Sequence, residues 1–180
     1  LRVAAAQYQV CGVEISQHAV ERCHQHGLHV VQGDVSGNLL ADLGTFDACV
    51  LLDVIEHLQD PAKTLSYIAE RLKQGGHILL TTGDFGSTLA RTAGRRWRLM
   101  TPPQHLWFFT QNGITKLARR LGFEVVAIDH PWKNVPIGLV AYQIGRNFNS
   151  KFAAPTFLSG ISIPINLFDA MRVVLRKTSK

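Results

Sequence analysis

Residues 46–61 read Phe-Asp-Ala-Cys-Val-Leu-Leu-Asp-Val-Ile-Glu-His-Leu-Gln-Asp-Pro. The first seven are almost continuously apolar and too few for a buried helix, which predicts a central parallel strand over 46–52. Asp53 closes that strand with an acid. Asp60-Pro61 then opens a helix, because Asp caps free N–H groups and Pro is tolerated in the first turn. The helix is expected to run to Lys73 and stop at Gly75-Gly76. Strand, acid, turn and helix in that order are the repeating unit of an α/β sheet.

The same unit recurs on both sides. Upstream, residues 9–15 form a short apolar run, and Ser16 caps a helix that Gly27 ends. Residues 28–32 make a second short strand, stopped by Gly33-Asp34. Downstream, 77–82 is a strand, and Thr110 caps a helix with Leu117, Ala118 and Leu121 on one face. Residues 123–128 and 170–175 are the last strands. This alternation predicts a doubly wound, mostly parallel Rossmann-like α/β sheet with helices on both faces. Residues 1–180 are expected to form one domain. Two stretches break the rhythm: 84–109, rich in Arg with Pro102-Pro103, and 131–166, an apolar insertion before the last strand. Connections this long are usually lids or binding elements.

Composition narrows the class. The chain has 180 residues, 46% hydrophobic and 18% charged, with a formal net charge of +6. That is a folded composition, not a disordered one. The dense basic run is Arg91, Arg95, Arg96 and Arg98, too small for a nucleic-acid footprint, so no nucleic-acid partner is expected. Three cysteines without a Cys-x-x-Cys spacing argue against a disulfide framework or a zinc-binding motif. Cys11 and Cys49 sit in apolar runs, where a free thiol acts as a small hydrophobe. A reducing, cytoplasmic setting is expected. The start, Leu-Arg-Val-Ala-Ala-Ala-Gln-Tyr, reads as the back half of a helix and lacks the regions of a signal peptide. A first strand and its glycine-rich turn are therefore expected upstream of Leu1.

In an open parallel sheet the ligand sits beyond the carboxyl ends of the strands. The acids there are Glu14, Asp34, Asp53 and Asp84. Glu14 is placed to accept both ribose hydroxyls of an adenosine. Asp34 is either a partner of the adenine amino group or the acid of a Gly-Asp turn. Asp53, Glu56 and His57 would share one face if the segment after the strand were helical, a spacing that suits a divalent cation. The reading adopted assigns no metal: Asp53 lies on the cofactor and Glu56 and His57 fix the turn, because hard cations want more oxygen ligands.

Taken together, Gly12-Val13-Glu14-Ile15-Ser16, Gly33-Asp34, Phe46-Asp47-Ala48 running into Asp53-Val54-Ile55-Glu56-His57-Leu58, Asp60-Pro61, and Leu72-Lys73-Gln74-Gly75-Gly76 form an ordered set. Pro102-Pro103-Gln104-His105-Leu106-Trp107-Phe108-Phe109-Thr110 and Arg120-Leu121-Gly122-Phe123-Glu124 extend it. The set resembles class I S-adenosylmethionine-dependent methyltransferases, in particular the bacterial group related to ubiquinone-biosynthesis O-methyltransferases. The resemblance covers residues 1–130 and implies an antiparallel last strand. It also implies that Glu14 holds the ribose, Ile15 packs on adenine, Asp34 and Val35 meet the adenine edge, and Leu52 and Asp53 lie near the methionine part of the cofactor. The acidic residue and Gly-x-Gly loop of that family would precede Leu1 and are not in this chain.

Methyl transfer from a sulfonium needs alignment and dryness, and a hydroxyl acceptor also needs a base. His105, in the long loop, is the first candidate, with a structural role pinning the Pro-Pro turn as its alternative. His57 is the second. His18, His24, His26 and His29 are expected on the surface. The acceptor is expected to be a quinone-like, lipid or sugar-derived small molecule. Trp132, Phe148, Phe152 and Phe157 would wall an apolar pocket, touch a membrane surface peripherally, or simply pack. Two other classes compete: a nicotinamide-dependent Rossmann oxidoreductase, which also places an acid after its second strand, and a non-catalytic or inactive fragment of a methyltransferase. Oligomeric state has no signature.

Overall fold

The computed structural model describes residues 1–35, 37–138 and 162–178. The strands are β1 (Gly12–Glu14), β2 (Val30–Gln32), β3 (Phe46–Leu52), β4 (Leu72–Gly83), β5 (Phe123–Asp129), β6 (Lys133–Pro136), β7 (Ser162–Ile165) and β8 (Ala170–Lys177). The helices are α1 (Gln17–Gln25), α2 (Gly37–Asp42), α3 (Pro61–Arg71), α4 (Thr88–Ala93) and α5 (Gln111–Arg120). The cap residues expected from sequence act as caps. Ser16 accepts from the Ala19 N–H, Asp60 from that of Lys63 and Thr110 from that of Gly113. Each satisfies a donor that the first helical turn leaves without a partner.

β1 pairs with β2 in parallel, and a second sheet runs β3-β4-β8-β5. β3 and β4 are parallel, whereas β8 is antiparallel to both β4 and β5. β8 is therefore the reversed last strand that the resemblance implies. The core lies under this sheet, with Ile55, Leu65, Ile78, Leu80, Ile114, Met171, Val173 and Leu175 fully buried. Burying side chains of this size contributes about 1.5–3 kcal/mol each.

Four features depart from the sequence reading. α2 separates β2 from β3, with Leu40 buried and α2 packed on α3. α4 occupies the stretch after Asp84, capped by Ser87. β4 starts at Leu72 rather than His77, because Leu72 pairs with Phe46 before a register shift. The expected turn at Gly75, with φ of +73°, is absorbed into that irregularity. Finally, β3 is not a central strand among the described residues. It pairs only with β4, and Val50 and Leu52 are each 56% exposed.

Gly76 shows why the β3–β4 start is glycine-rich. A Cβ there would lie 2.8 Å from Leu72 Cγ, 2.9 Å from the Lys73 carbonyl oxygen and 3.0 Å from that of Asp47. Two of these neighbours are backbone and cannot yield cheaply. Gly76→Ala is expected to cost about 1–3 kcal/mol, read as a lowered denaturation midpoint with unchanged slope.

The 131–166 insertion contributes β6 and β7, which pair antiparallel. Trp132 is 68% exposed. Phe148, Phe152 and Phe157 lie outside the described residues. His18, His24, His26 and His29 are exposed, as expected. The three cysteines are free and half-buried. Burial pushes the Cys49 thiol up to about 11, so it is inert at neutral pH. No described helix is long and apolar enough to cross a membrane.

Candidate functional site

Glu14 ends β1, Asp34 follows β2, Asp53 follows β3 and Asp84 follows β4. The parallel strands thus deliver their acids to their carboxyl ends. Glu14 Oε1 accepts the Ser16 N–H at 2.9 Å, which turns the carboxylate toward the start of α1 and leaves Oε2 for a ligand. Ile15 beside it is 72% exposed, a flat apolar face beside a carboxylate. Asp34 Oδ1 accepts the N–H of its neighbour Val35 at 2.7 Å. Val35 itself packs against the core.

Asp53 is the strained member. Its φ is +52°, a region that side chains other than Gly rarely adopt. Its N–H donates to Thr81, whose hydroxyl returns a 2.8 Å hydrogen bond to Asp53 Oδ1, and Lys133 Nζ stands 3.9 Å from Oδ2. Asp53 would share one face with Glu56 and His57 only if the segment after β3 were helical from Asp53 onward. In the structure only Ile55–His57 is helical, as a single 3₁₀ turn, and Asp53 faces Thr81 and Lys133 instead.

Glu56 and His57 gather a partner from far along the chain. The Glu56 carbonyl accepts the N–H groups of Leu106 and Trp107, and Trp107 Nε1 donates to the Leu58 carbonyl. These bonds zip the loop around Pro102-Pro103 onto the turn after β3. His105 is thereby set against His57, ring centroids 4.8 Å apart. His57 Nδ1 lies 2.7 Å from the Gln104 carbonyl and His105 Nδ1 lies 2.7 Å from the Leu99 carbonyl. A carbonyl only accepts, so each Nδ1 carries a proton, and in the neutral ring the lone pair is on Nε2. The pinning role and the basic nitrogen of His105 therefore coexist. Glu56 is 4% exposed, and its Oε2 has no hydrogen-bond partner. Glu56, His57 and His105 each offer a ligand atom within 4.8 Å of the other two. Neither composition nor local spacing signals this set, because His105 arrives through the fold.

A second group, which the sequence reading did not assemble, lies beyond Phe85 and Phe108. An open cleft of about 590 Å³ is lined by Asp84, Ser87, Gln111, His130 and Phe168, among others. Asp84, 2% exposed, receives hydrogen bonds from the Gly86 N–H, Gln111 Nε2 and His130 Nε2. Rings connect the two places: Phe85 to Phe108 at 5.8 Å, and Phe108 to His105 at 6.5 Å.

An α/β sheet with acids along its carboxyl edge and one reversed strand is a nucleotide-cofactor-binding architecture. Residues 1–128 match the family described as "Methyltransferase domain", and the chain belongs to that family. Among curated proteins it is 25% identical over 167 residues to a ubiquinone biosynthesis O-methyltransferase of Methylococcus capsulatus, covering 85% of this chain and 70% of that protein. It is 26% identical over 138 residues to the one from Aromatoleum aromaticum, covering 70% and 59%. Among solved structures it resembles a SAM-dependent methyltransferase from Archaeoglobus fulgidus (TM-score 0.63, 16% identity, 98% and 80% covered). It also resembles the magnesium protoporphyrin IX methyltransferase from Synechocystis with bound SAH (TM-score 0.59, 16% identity, 98% and 68% covered).

The cofactor is S-adenosylmethionine, and the nicotinamide reading falls with this family membership. The residues present fit the donor's adenosine end. Among the described residues nothing bonds the second carboxylate oxygen of Glu14, and Ile15 exposes an apolar face next to it.

Proposed function

We propose that this protein binds S-adenosylmethionine along the carboxyl edge of its sheets and serves methyl transfer to a hydroxyl of a small-molecule acceptor. One observation carries the reading: Glu14, Asp34 and Asp53 stand at the carboxyl ends of three successive strands, with the apolar Ile15 and Leu52 exposed beside them. In this reading Glu14 takes the ribose hydroxyls, Ile15 packs on adenine, and Asp34 and Val35 border its edge. Leu52 and Asp53 flank the methionine part. The bound donor supplies a methyl group on a positively charged sulfur. The chain's residues orient the acceptor, exclude water and receive its proton. His105 is the first proton acceptor and His57 the second, each through the lone pair on Nε2.

The names of the curated relatives support a quinone-like acceptor, with lipid or sugar-derived acceptors as the alternatives. The acceptor hydroxyl would lie against His105 and His57, neither of which lines the cleft beside Asp84 and His130. Trp132 (68% exposed) and Phe168 (60%) support a peripheral membrane contact from which an apolar acceptor is drawn. The half-buried free cysteines support a reducing, cytoplasmic setting.

A second reading has its own observation. Among the described residues β3 is paired on one side only, and Leu52 beside Asp53 is 56% exposed. A donor cradle built from these residues is open on that side, which favours the non-catalytic reading. Calorimetry with S-adenosylmethionine separates the two. Saturable binding near about 10 μM, roughly 7 kcal/mol, supports the first reading, and no heat supports the second. With a responsive acceptor, His105→Ala is expected to lower turnover about a hundredfold while leaving donor affinity unchanged. Equal turnover would remove His105 from the reaction.

A further inference from the structure

We propose that Asp53 and Lys133 form a charge-complementary receptor for an α-amino-acid zwitterion, Asp53 Oδ2 taking the ammonium and Lys133 Nζ the carboxylate. Under the donor reading above, on which this rests, that zwitterion is the methionine end of S-adenosylmethionine. The pair itself is the first observation. Lys133 Nζ stands 3.9 Å from Asp53 Oδ2, beyond hydrogen-bond reach. By contrast, Lys73–Asp47, Arg98–Asp169 and Arg176–Glu124 close to 2.8, 2.7 and 2.7 Å. Asp53 and Lys133 face one another without closing, so each charge still has a bond to offer a ligand.

Both members are positioned by the fold. Asp53 follows β3 at the carboxyl edge, with a strained φ of +52° that persists only where its surroundings enforce it. Thr81 of β4 supplies that constraint. Its hydroxyl accepts the Asp53 N–H at 2.9 Å and donates to Oδ1 at 2.8 Å, so one oxygen is fixed and the other faces Lys133. Lys133 opens β6, with Ile165 of β7 opposite it. The base of this ribbon is pinned to the same edge. His130 Nε2 lies 3.1 Å from Asp84 Oδ2, and Asn166 Nδ2 donates to the His130 carbonyl at 2.7 Å. The ammonium is therefore carried on a paired strand and not on a loose arm.

The chemistry of the pair selects the ligand. The Lys133 and Asp53 side chains are 45% and 59% exposed, and an ion pair this wet contributes little to folding. Its place is instead where an open parallel sheet receives ligands. An α-amino acid carries an ammonium and a carboxylate on one carbon, so its two charges lie side by side as these two do, with opposite signs. Binding it exchanges one open attraction for two charge-assisted hydrogen bonds. A ligand with the amine alone would meet Asp53 but gain nothing from Lys133.

The test is calorimetry on the full chain with three ligands: S-adenosylmethionine, its decarboxylated form, which keeps the amine, and 5′-methylthioadenosine, which lacks both charged groups. Lys133→Ala is expected to weaken S-adenosylmethionine binding about tenfold, the loss of one charge-assisted hydrogen bond, and to leave the other two ligands unaffected. Lys133→Arg should retain the affinity. Asp53→Asn is expected to weaken both amine-bearing ligands alike and to spare 5′-methylthioadenosine. Lys73→Ala removes an exposed charge at the opposite end of β4 and should bind as the unmodified chain does. Lys133 is exposed and Asn tolerates positive φ, so these variants should fold; circular dichroism checks this. Unchanged S-adenosylmethionine affinity in Lys133→Ala, or an equal loss for the decarboxylated ligand, would overturn this proposal and leave the donor reading standing. Failure of all three ligands to bind the unmodified chain would overturn the donor reading and this proposal with it.

Discussion

Asp169→Asn is expected to lower folding stability by about 3 kcal/mol, the low end of what breaking a buried ion pair costs. Asp169 is 1% exposed just before β8. Its Oδ2 accepts from Trp97 Nε1 at 2.9 Å and from Arg98 Nε at 2.8 Å, and its Oδ1 accepts from Arg98 Nη2 at 2.7 Å. Its carbonyl takes the Asp84 N–H, so one residue ties the end of β4, the 84–109 stretch and the start of β8 together. The asparagine can still accept from Trp97, but it leaves the Arg98 guanidinium without its charge partner. The Arg98 side chain is 32% exposed, which limits the penalty. A loss of this size corresponds to about 6–12 °C in melting temperature for a chain of this length.

The same pair sets an acid limb. Burial works against the Asp169 charge, but the Arg98 and Trp97 hydrogen bonds outweigh it and hold the carboxyl below the usual carboxylate range. A depressed native value stabilises the fold above the unfolded value of about 3.9, and the gain is lost as pH falls through the native value. The unmodified chain should therefore lose stability on acidification below about pH 4. In Asp169→Asn this part of the fall should be missing. Equal melting temperatures for the two proteins at pH 7 would show that the pair is not holding the loop.

Glu14→Ala is expected to weaken S-adenosylmethionine binding about a hundredfold. Two ribose hydroxyls bound to an ionised acceptor contribute about 1.5 kcal/mol each at the low end, together about 3 kcal/mol. The fold should barely respond. Glu14 is half-buried and holds one local hydrogen bond, to the Ser16 N–H, while the Ser16 hydroxyl still caps α1. Calorimetry gives the affinity and thermal melting checks the fold. An unchanged affinity removes the ribose assignment, and a collapsed melting transition would make Glu14 a structural residue.

Much of this architecture was legible locally. The Ser16, Asp60 and Thr110 caps are single-residue signals, and each caps the helix expected of it. β3 and its closing Asp53 follow from a run of apolar residues with an acid at the end. α2 escaped because it is only six residues long and opens on Gly37-Asn38, two poor helix formers. Among the described residues β3 stands at a sheet edge: apolarity reports what a strand could bury, not which neighbours pair with it.

The row of acids needed only strand order, since every parallel strand presents its last residue at the same edge. The grouping of Glu56, His57 and His105 needed the folded chain. Asp53, Glu56 and His57 are close in sequence, and a helical spacing rule groups them. The rule fails because the backbone turns at Asp53 with positive φ and sends its carboxylate to Thr81. His105 joins Glu56 and His57 only because the Glu56 carbonyl captures the backbone of the next two residues. Arg98 reaches Asp169 for the same kind of reason, across 71 positions. By itself the sequence determined the elements, their caps and the edge that bears the acids, because these depend on neighbouring residues. The tertiary structure decided which distant side chains share a space, because only the packed chain fixes where a loop's hydrogen bonds are satisfied.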